Sequence, residues 1–172
     1  MFLRILCVVT SALTVLTTLS MTSCGSENVS SEPADSAVTS KADSELSAKD
    51  ILSALEDDNM NASAFYGDES FTKNAEKLYG ISADKLSDGG IIYAADGGLA
   101  DEVSILKMAD GSSAESQLSD RVSYRLNQFE NYKPEETKKI KAAKIFQAGD
   151  HWVLVISDRA EEISDEITNI TK

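Results

Sequence analysis

A single histidine, His151, follows the pair Gly149-Asp150 and stands beside the only tryptophan, Trp152. To act as a base in acyl transfer it would need a serine and an acid held around it. Gly-x-Ser-x-Gly, His-Glu-x-x-His, a P-loop and Gly-x-Gly-x-x-Gly are all absent, so His151 reads first as a surface residue at the start of a strand. Carboxylates gather at Asp96, Asp101 and Glu102 and again at Glu56-Asp57-Asp58. Such acids could move protons or hold calcium, but neither group has the alternating oxygen ligands of an EF-hand loop. No spacing sets two carboxyls at a glycosidase's working separation. They read as solvated faces, and no catalytic residue, metal site or cofactor is assigned. Arg121 and Arg125, four apart, fit side chains whose stems cover a core edge while their heads pair with acids. Together with Asp101 and Glu102 they are the candidate binding residues. Lys138, Lys139 and Lys141 close a short helix opened by Glu135 and Glu136, as the helix dipole favours. Their functional reading is an anionic headgroup or wall polymer.

The one position where sequence alone specifies a covalent chemistry is Cys24. Residues 1–20 combine a single early cation, Arg4, with an uncharged run of Leu, Val, Ile and Thr that is short and polar for a membrane span, and they read as a signal peptide. Met21-Thr22-Ser23-Cys24-Gly25 then resembles the lipobox of bacterial lipoproteins, with Met21 where the pattern wants Leu. Acyl chains on Cys24 would anchor a soluble domain, because each buried methylene contributes roughly 0.8 kcal/mol. The alternatives are an uncleaved signal anchor or cleavage without lipid. The other cysteine, Cys7, lies inside the leader. No thiol then remains for a disulfide, a zinc site or nucleophilic catalysis.

Composition sets the rest of the frame. With 29 acidic and 16 basic residues among 172, a formal charge of -13 and 42% hydrophobic residues, the chain suits one globular domain plus a tail. It is a poor partner for nucleic acid, which requires a basic face. The expected division is a lipoprotein signal peptide over 1–23, the lipidated Cys24 with a disordered polar tether over 24–45, and a single α+β domain over 46–172. The tether reading follows from a Ser-, Glu- and Asp-rich composition without aromatic residues.

Within the domain, Ser47 and Asp50 form a capping box for a helix reaching about Asp57, with Leu46 and Ile51 as its staple. A second helix is expected over 72–79, closed by Gly80. Strands are expected over 90–95 and 102–108, followed by a helix capped by Ser112 and Glu115. That helix buries Leu118, Val122, Leu126 and Phe129. After Lys133-Pro134 and a short helix, the plan repeats. Strands over 144–148 and 152–156 flank Gly149-Asp150, and Asp158 with Glu161 caps a last helix that buries Ile163, Ile167 and Ile170. Two hairpin-then-helix units predict an antiparallel sheet of about four strands with helices packed on one face.

Several of these segments together resemble one family. Tyr79-Gly80-Ile81, the run 100–107, the helix with Arg121, Arg125, Leu126, Gln128 and Phe129, the Tyr132-Lys133-Pro134 corner and the run 149–158 are similar to lipoproteins grouped as domain of unknown function 4358. The resemblance implies a lipobox, a polar stalk and one small domain over about 46–170, and brings no activity with it. The pairs Gly89-Gly90 and Gly97-Gly98 depart from the pattern. The expected role is that of a lipid-anchored protein on the outer face of the cytoplasmic membrane, binding an envelope protein or wall component without catalysis. The alternatives are a carboxylate- or His-dependent hydrolase of envelope material and an accessory solute-binding module.

Overall fold

The computed structural model describes residues 46–172. The leader, Cys24 and the tether expected over 24–45 lie outside the described residues. Ser47 and Asp50 open α1 (Ala48–Ala54) with the reciprocal capping box read from the sequence, although the helix stops three residues short of Asp57 and Leu46 stays largely exposed. Then follow β1 (Ala62–Phe65), α2 (Glu69–Tyr79), a 3-10 turn (Ala83–Lys85), β2 (Leu86–Tyr93) and β3 (Glu102–Met108). The chain continues through α3 (Glu115–Phe129), α4 (Pro134–Lys141), β4 (Lys144–Ala148), β5 (His151–Ile156) and α5 (Ala160–Ile170). Gly80 ends α2 in the left-handed conformation, φ 65°, that a side chain would resist.

The fold is α+β, with one antiparallel five-stranded sheet in the order β1-β2-β3-β5-β4. Both expected hairpins form, β2 with β3 and β4 with β5, and β3 joins them through β5. The fifth strand is β1, a four-residue edge strand whose Ala62-Ser63-Ala64-Phe65 is too short to carry a period of its own.

Helices cover both faces of this sheet, which corrects the expectation of one. Leu106, Leu154, Ile156 and Ile91 pack against Phe71 and Tyr79 of α2, Leu118 and Phe129 of α3 and Ile140 of α4. Val103, Ile105, Val153 and Val155, the alternate residues of the same strands, pack against Ile51 and Leu52 of α1 and Ile163 and Ile167 of α5. The near-continuous apolar run of β5 is therefore that of a strand buried on both sides. Gly89 and Gly90 serve the same arrangement. A Cβ on Gly89 would lie 2.5 Å from Phe71 Cζ, and one on Gly90 would lie 2.6 Å from Leu52 Cδ1. Adjacent glycines on opposite faces thus admit α2 from one side and α1 from the other.

Two expected caps are replaced. The N-cap of α3 is Ala114, and Ser113 Oγ, not Ser112, receives the Glu115 N–H at 3.1 Å. Asp110 instead takes the Ser112 N–H. At α5 the N-cap is Arg159, whose own N–H reaches Ser157 Oγ at 3.1 Å, so Asp158 does not cap. In both places a serine next to the expected cap, Ser113 after Ser112 and Ser157 before Asp158, closes the turn locally.

Candidate functional site

Glu102 is the first link of an alternation on β3, Glu102, Ser104, Leu106, Met108, that faces α2 and α3. A glutamate on that face is buried, 1% exposed, and must be answered by a cation or neutralised. Arg121 answers it from the middle of α3. Its Nε donates to both carboxylate oxygens, at 3.1 and 3.2 Å, and its Nη2 donates to Oε2 at 2.5 Å, the paired geometry that suits guanidinium and carboxylate. Tyr79, the last residue of α2, donates its hydroxyl to Glu102 Oε1 at 2.7 Å, and the Ser104 hydroxyl lies against that of Tyr79. Burial and the neighbouring Glu102 hold the Tyr79 phenol well above its usual pKa. Burial opposes the charge on Arg121, but Glu102 outweighs it and raises the guanidinium above its ordinary value.

Around this pair the helical hairpin α3–α4 grips five consecutive residues. Lys133 Nζ donates to the Gly98 carbonyl at 2.9 Å, Arg125 Nη2 to that of Leu99 at 2.9 Å, and Glu136 Oε2 accepts the Ala100 N–H at 2.7 Å. Lys139 Nζ meets Asp101 Oδ2 at 2.6 Å, and Arg121 holds Glu102. Asp101 is fully buried and Lys139 also pairs with Glu136. The lysine is partly desolvated, yet the two acids keep its pKa raised. Arg125 has no such acid on it, and burial lowers its pKa. Two polar atoms in this shell, Asp101 Oδ1 and Arg125 Nε, are buried without a hydrogen-bond partner.

The candidate residues therefore meet in one place. Asp101, Glu102, Arg121 and Arg125 all belong to the contact between residues 98–102 and α3–α4, Glu102 and Arg121 turned on one another, Asp101 on Lys139 and Arg125 on backbone. Sequence reading missed Tyr79, Ser104, Glu136 and Lys139 as members. The signal for Ser104 was available, since it shares Glu102's parity on β3. Glu136 was assigned to the helix dipole, and Lys139 to the dipole or to an anionic headgroup or wall polymer. The acid group Asp96, Asp101 and Glu102 does not converge. Asp96 Oδ1 takes the Gly98 N–H at 2.8 Å, while Asp101 and Glu102 point to different cations. Among the described residues no three His, Cys, Asp or Glu side chains are grouped to hold a metal ion.

His151 is buried, at 2% exposure, where a surface position was expected. Its Nε2 lies 3.1 Å from Asp88 Oδ2, which also takes the Ala48 N–H at the start of α1, at 2.7 Å. Burial pushes Asp88 upward, but the His151 contact and the N–H groups of Ala48 and Gly89 outweigh it and depress its pKa. Ser47, Ser87, Asp88 and His151 line a small pocket of about 240 Å³. The Ser47 hydroxyl is taken by Asp50 at 2.6 Å and that of Ser87 reaches the Lys107 carbonyl at 3.4 Å. A larger groove of about 690 Å³ lies along α4 and the start of α5, lined by Glu135, Glu136, Lys138, Lys139, Lys144 and Glu161 among others.

No curated protein and no solved structure matches the chain. One family model, described as "Domain of unknown function (DUF4358)", matches residues 61–157. Those residues are more than half of the 172 and contain Tyr79, Asp88, Glu102, Arg121, Lys139 and His151. On that match, this chain belongs to the DUF4358 family.

Proposed function

We propose that this protein is a lipid-anchored envelope lipoprotein, held through Cys24 on the outer face of the cytoplasmic membrane, and that its α+β domain is a non-enzymatic module binding an envelope protein or wall component. The anchor rests on the leader and Met21-Thr22-Ser23-Cys24-Gly25. The observation that carries the binding role is the closure of the buried polar groups on one another. Glu102 is occupied by Arg121 and Tyr79, Asp101 by Lys139, and His151 by Asp88. Groups committed in this way organise a scaffold; a general acid or base must instead face the bond it serves. The pocket shared by Ser47, Ser87, Asp88 and His151 is the feature favouring a hydrolase instead.

Mass spectrometry of the native protein tests the anchor. The expected product begins at an acylated Cys24, and Cys24→Ser leaves the membrane fraction. An unmodified sulfur or a retained leader overturns it. Crosslinking and affinity capture from membranes test the module, with recovery of a specific envelope partner or wall material expected. Turnover of a small ester or amide by the purified protein, abolished by His151→Ala, overturns the non-enzymatic reading.

A further inference from the structure

The outward side of α3 differs from that of every other long helix described. Exposed ion pairs mark α2 (Lys73 with Glu69), α4 (Lys138 with Glu135) and α5 (Arg159 with Glu162). The C-terminal half of α3 and the turn after it present Ser123, Tyr124, Asn127, Gln128, Asn131 and Tyr132, all exposed and all uncharged, in a chain of formal charge -13. Positions 124, 128 and 132, with 127 and 131 between them, share one helical face, and Tyr132 N–H to the Phe129 carbonyl, 3.2 Å, continues the turn past the helix end. Along the chain the exposed charges flanking the stripe are Asp120, Glu130 and Lys133, while Arg121 lies beneath Tyr124 and Arg125 Nη1 donates to Gln128 Oε1 at 3.4 Å. Tyr124 and Tyr132, 56% and 61% exposed, are the most exposed large hydrophobic side chains of the described residues.

Both rings are braced from beneath. The Arg121 guanidinium, already committed to Glu102, lies 5.9 Å from the centre of Tyr124, and Gln128 Nε2 reaches the Tyr124 hydroxyl at 3.3 Å. Tyr132 stacks on Phe129 at 5.7 Å, with an interplanar angle of 22°, and Arg125 sits 4.8 Å from that same Phe129 ring. A braced ring has little rotamer freedom left to lose when something covers it.

We propose that this stripe is a docking surface for a neutral, N-acetylated glycan strand. The inference rests on the envelope reading above and names the wall component. Flat phenol faces suit the C–H faces of pyranose rings, and the amides of Asn127 and Asn131 each offer a donor and an acceptor to hydroxyl and acetamido groups, which offer the same. The absence of charge along the stripe matches a partner without charge. An anionic polymer would find no free cation in it, since Arg121 and Arg125 are committed to Glu102 and the Leu99 carbonyl. A protein partner normally covers about 800 Å² on each side around an apolar centre, which two phenol rings separated by amides do not supply. The stripe runs for roughly 8 Å at helical rise from position 124 to the end of α3 at 129, and the turn to Tyr132 extends it, the reach of a short run of sugar rings.

The test uses the full native lipoprotein in detergent. Insoluble β-1,4-linked N-acetylglucosamine polymer is the sedimentation probe, its soluble tetramer the ligand for titration calorimetry, and cellulose and a glycerol-phosphate polymer are the comparisons. The acetylated polymer is expected to retain the protein and the other two are not. Tyr124→Ala and Tyr132→Ala each weaken tetramer binding by about tenfold, Tyr124→Phe holds it within about threefold, and the unfolding midpoint of Tyr124→Ala stays near that of the parent. Lack of retention by the acetylated polymer, equal retention by the phosphate polymer, or retention untouched by the two alanine substitutions overturns the glycan surface. If the parent protein still captures a protein partner from membranes in that case, the envelope-binding reading stands and only its glycan assignment falls.

Discussion

On one face of the sheet Val103, Ile105, Val153 and Val155 meet α1 and α5 through aliphatic side chains, and a polar pair there, Asp88 with His151, lies at the start of β5 with the aspartate partly in solvent. On the other face the same strand β3 sets Glu102 and Ser104 into the interior and meets Tyr79 and Arg121. The two faces use the same backbone and differ in how they fail. An aliphatic face loses stability in proportion to the volume removed. A buried charged pair depends on both members, because deleting either strands the other away from water. The polar face also fixes geometry. Arg121 and Glu102 stand at one end of the series of contacts by which α3 and α4 hold residues 98–102.

The sharpest way to break this comparison is Arg121→Ala. It is expected to cost roughly 3–5 kcal/mol of unfolding free energy by leaving Glu102 uncompensated, while Glu102→Leu with Arg121→Met returns to within about 2 kcal/mol of the parent. Denaturant titration of the single and double variants checks both values, and a loss below about 1 kcal/mol for Arg121→Ala would show that the pair does not hold this face. On the aliphatic face, Ile163→Ala is expected to cost about 2–4 kcal/mol. Combined with Leu118→Ala on the opposite face, it should add to within about 0.5 kcal/mol, a sum that Glu102 and Arg121 substitutions will not obey.

Smaller effects separate the faces residue by residue. Gly89→Ala and Gly90→Ala each overpack one side by about 1–3 kcal/mol. Phe71→Leu should relieve the first alone and Leu52→Ala the second alone, as thermal unfolding of the paired variants would reveal. The smallest effect concerns pH. Asp88 is depressed in the folded protein, so its contribution is complete above the ordinary aspartate value of about 3.9 and is lost as pH falls through the lower folded value. Asp88→Asn should therefore flatten the acid limb of the stability curve below about pH 4 and lower stability at neutral pH by about 1 kcal/mol or less. An unchanged acid limb would remove Asp88 from the account.

How much of this was legible depends on the range of the interaction. The α1 capping box, the Gly80 stop and both hairpins were readable because a cap, a left-handed glycine and a turn are satisfied within a few residues. The α3 and α5 caps were misread within the same range, since the neighbouring Ser113 takes the Glu115 N–H expected for Ser112 and Ser157 closes its own turn on the Arg159 N–H. Asp101, Glu102, Arg121 and Arg125 were selected as residue types that bind, and the structure brings them together. That Arg121 faces Glu102 while Asp101 faces Lys139 depends on the rotation of α3 and α4 over the sheet. Lys139 and Asp101 are 38 positions apart, and nothing in local spacing links them.

From the sequence alone came the acidic balance, the hairpin-then-helix repeat and the α+β class, because each follows from composition or from a period carried by neighbouring residues. The tertiary structure decided that helices cover both faces, that β1 completes the sheet at its edge, that His151 is buried on Asp88, and that α3 turns an uncharged aromatic and amide stripe outward. Each of these depends on which side of a strand or helix meets a distant partner, and such a choice is made by packing the whole domain at once.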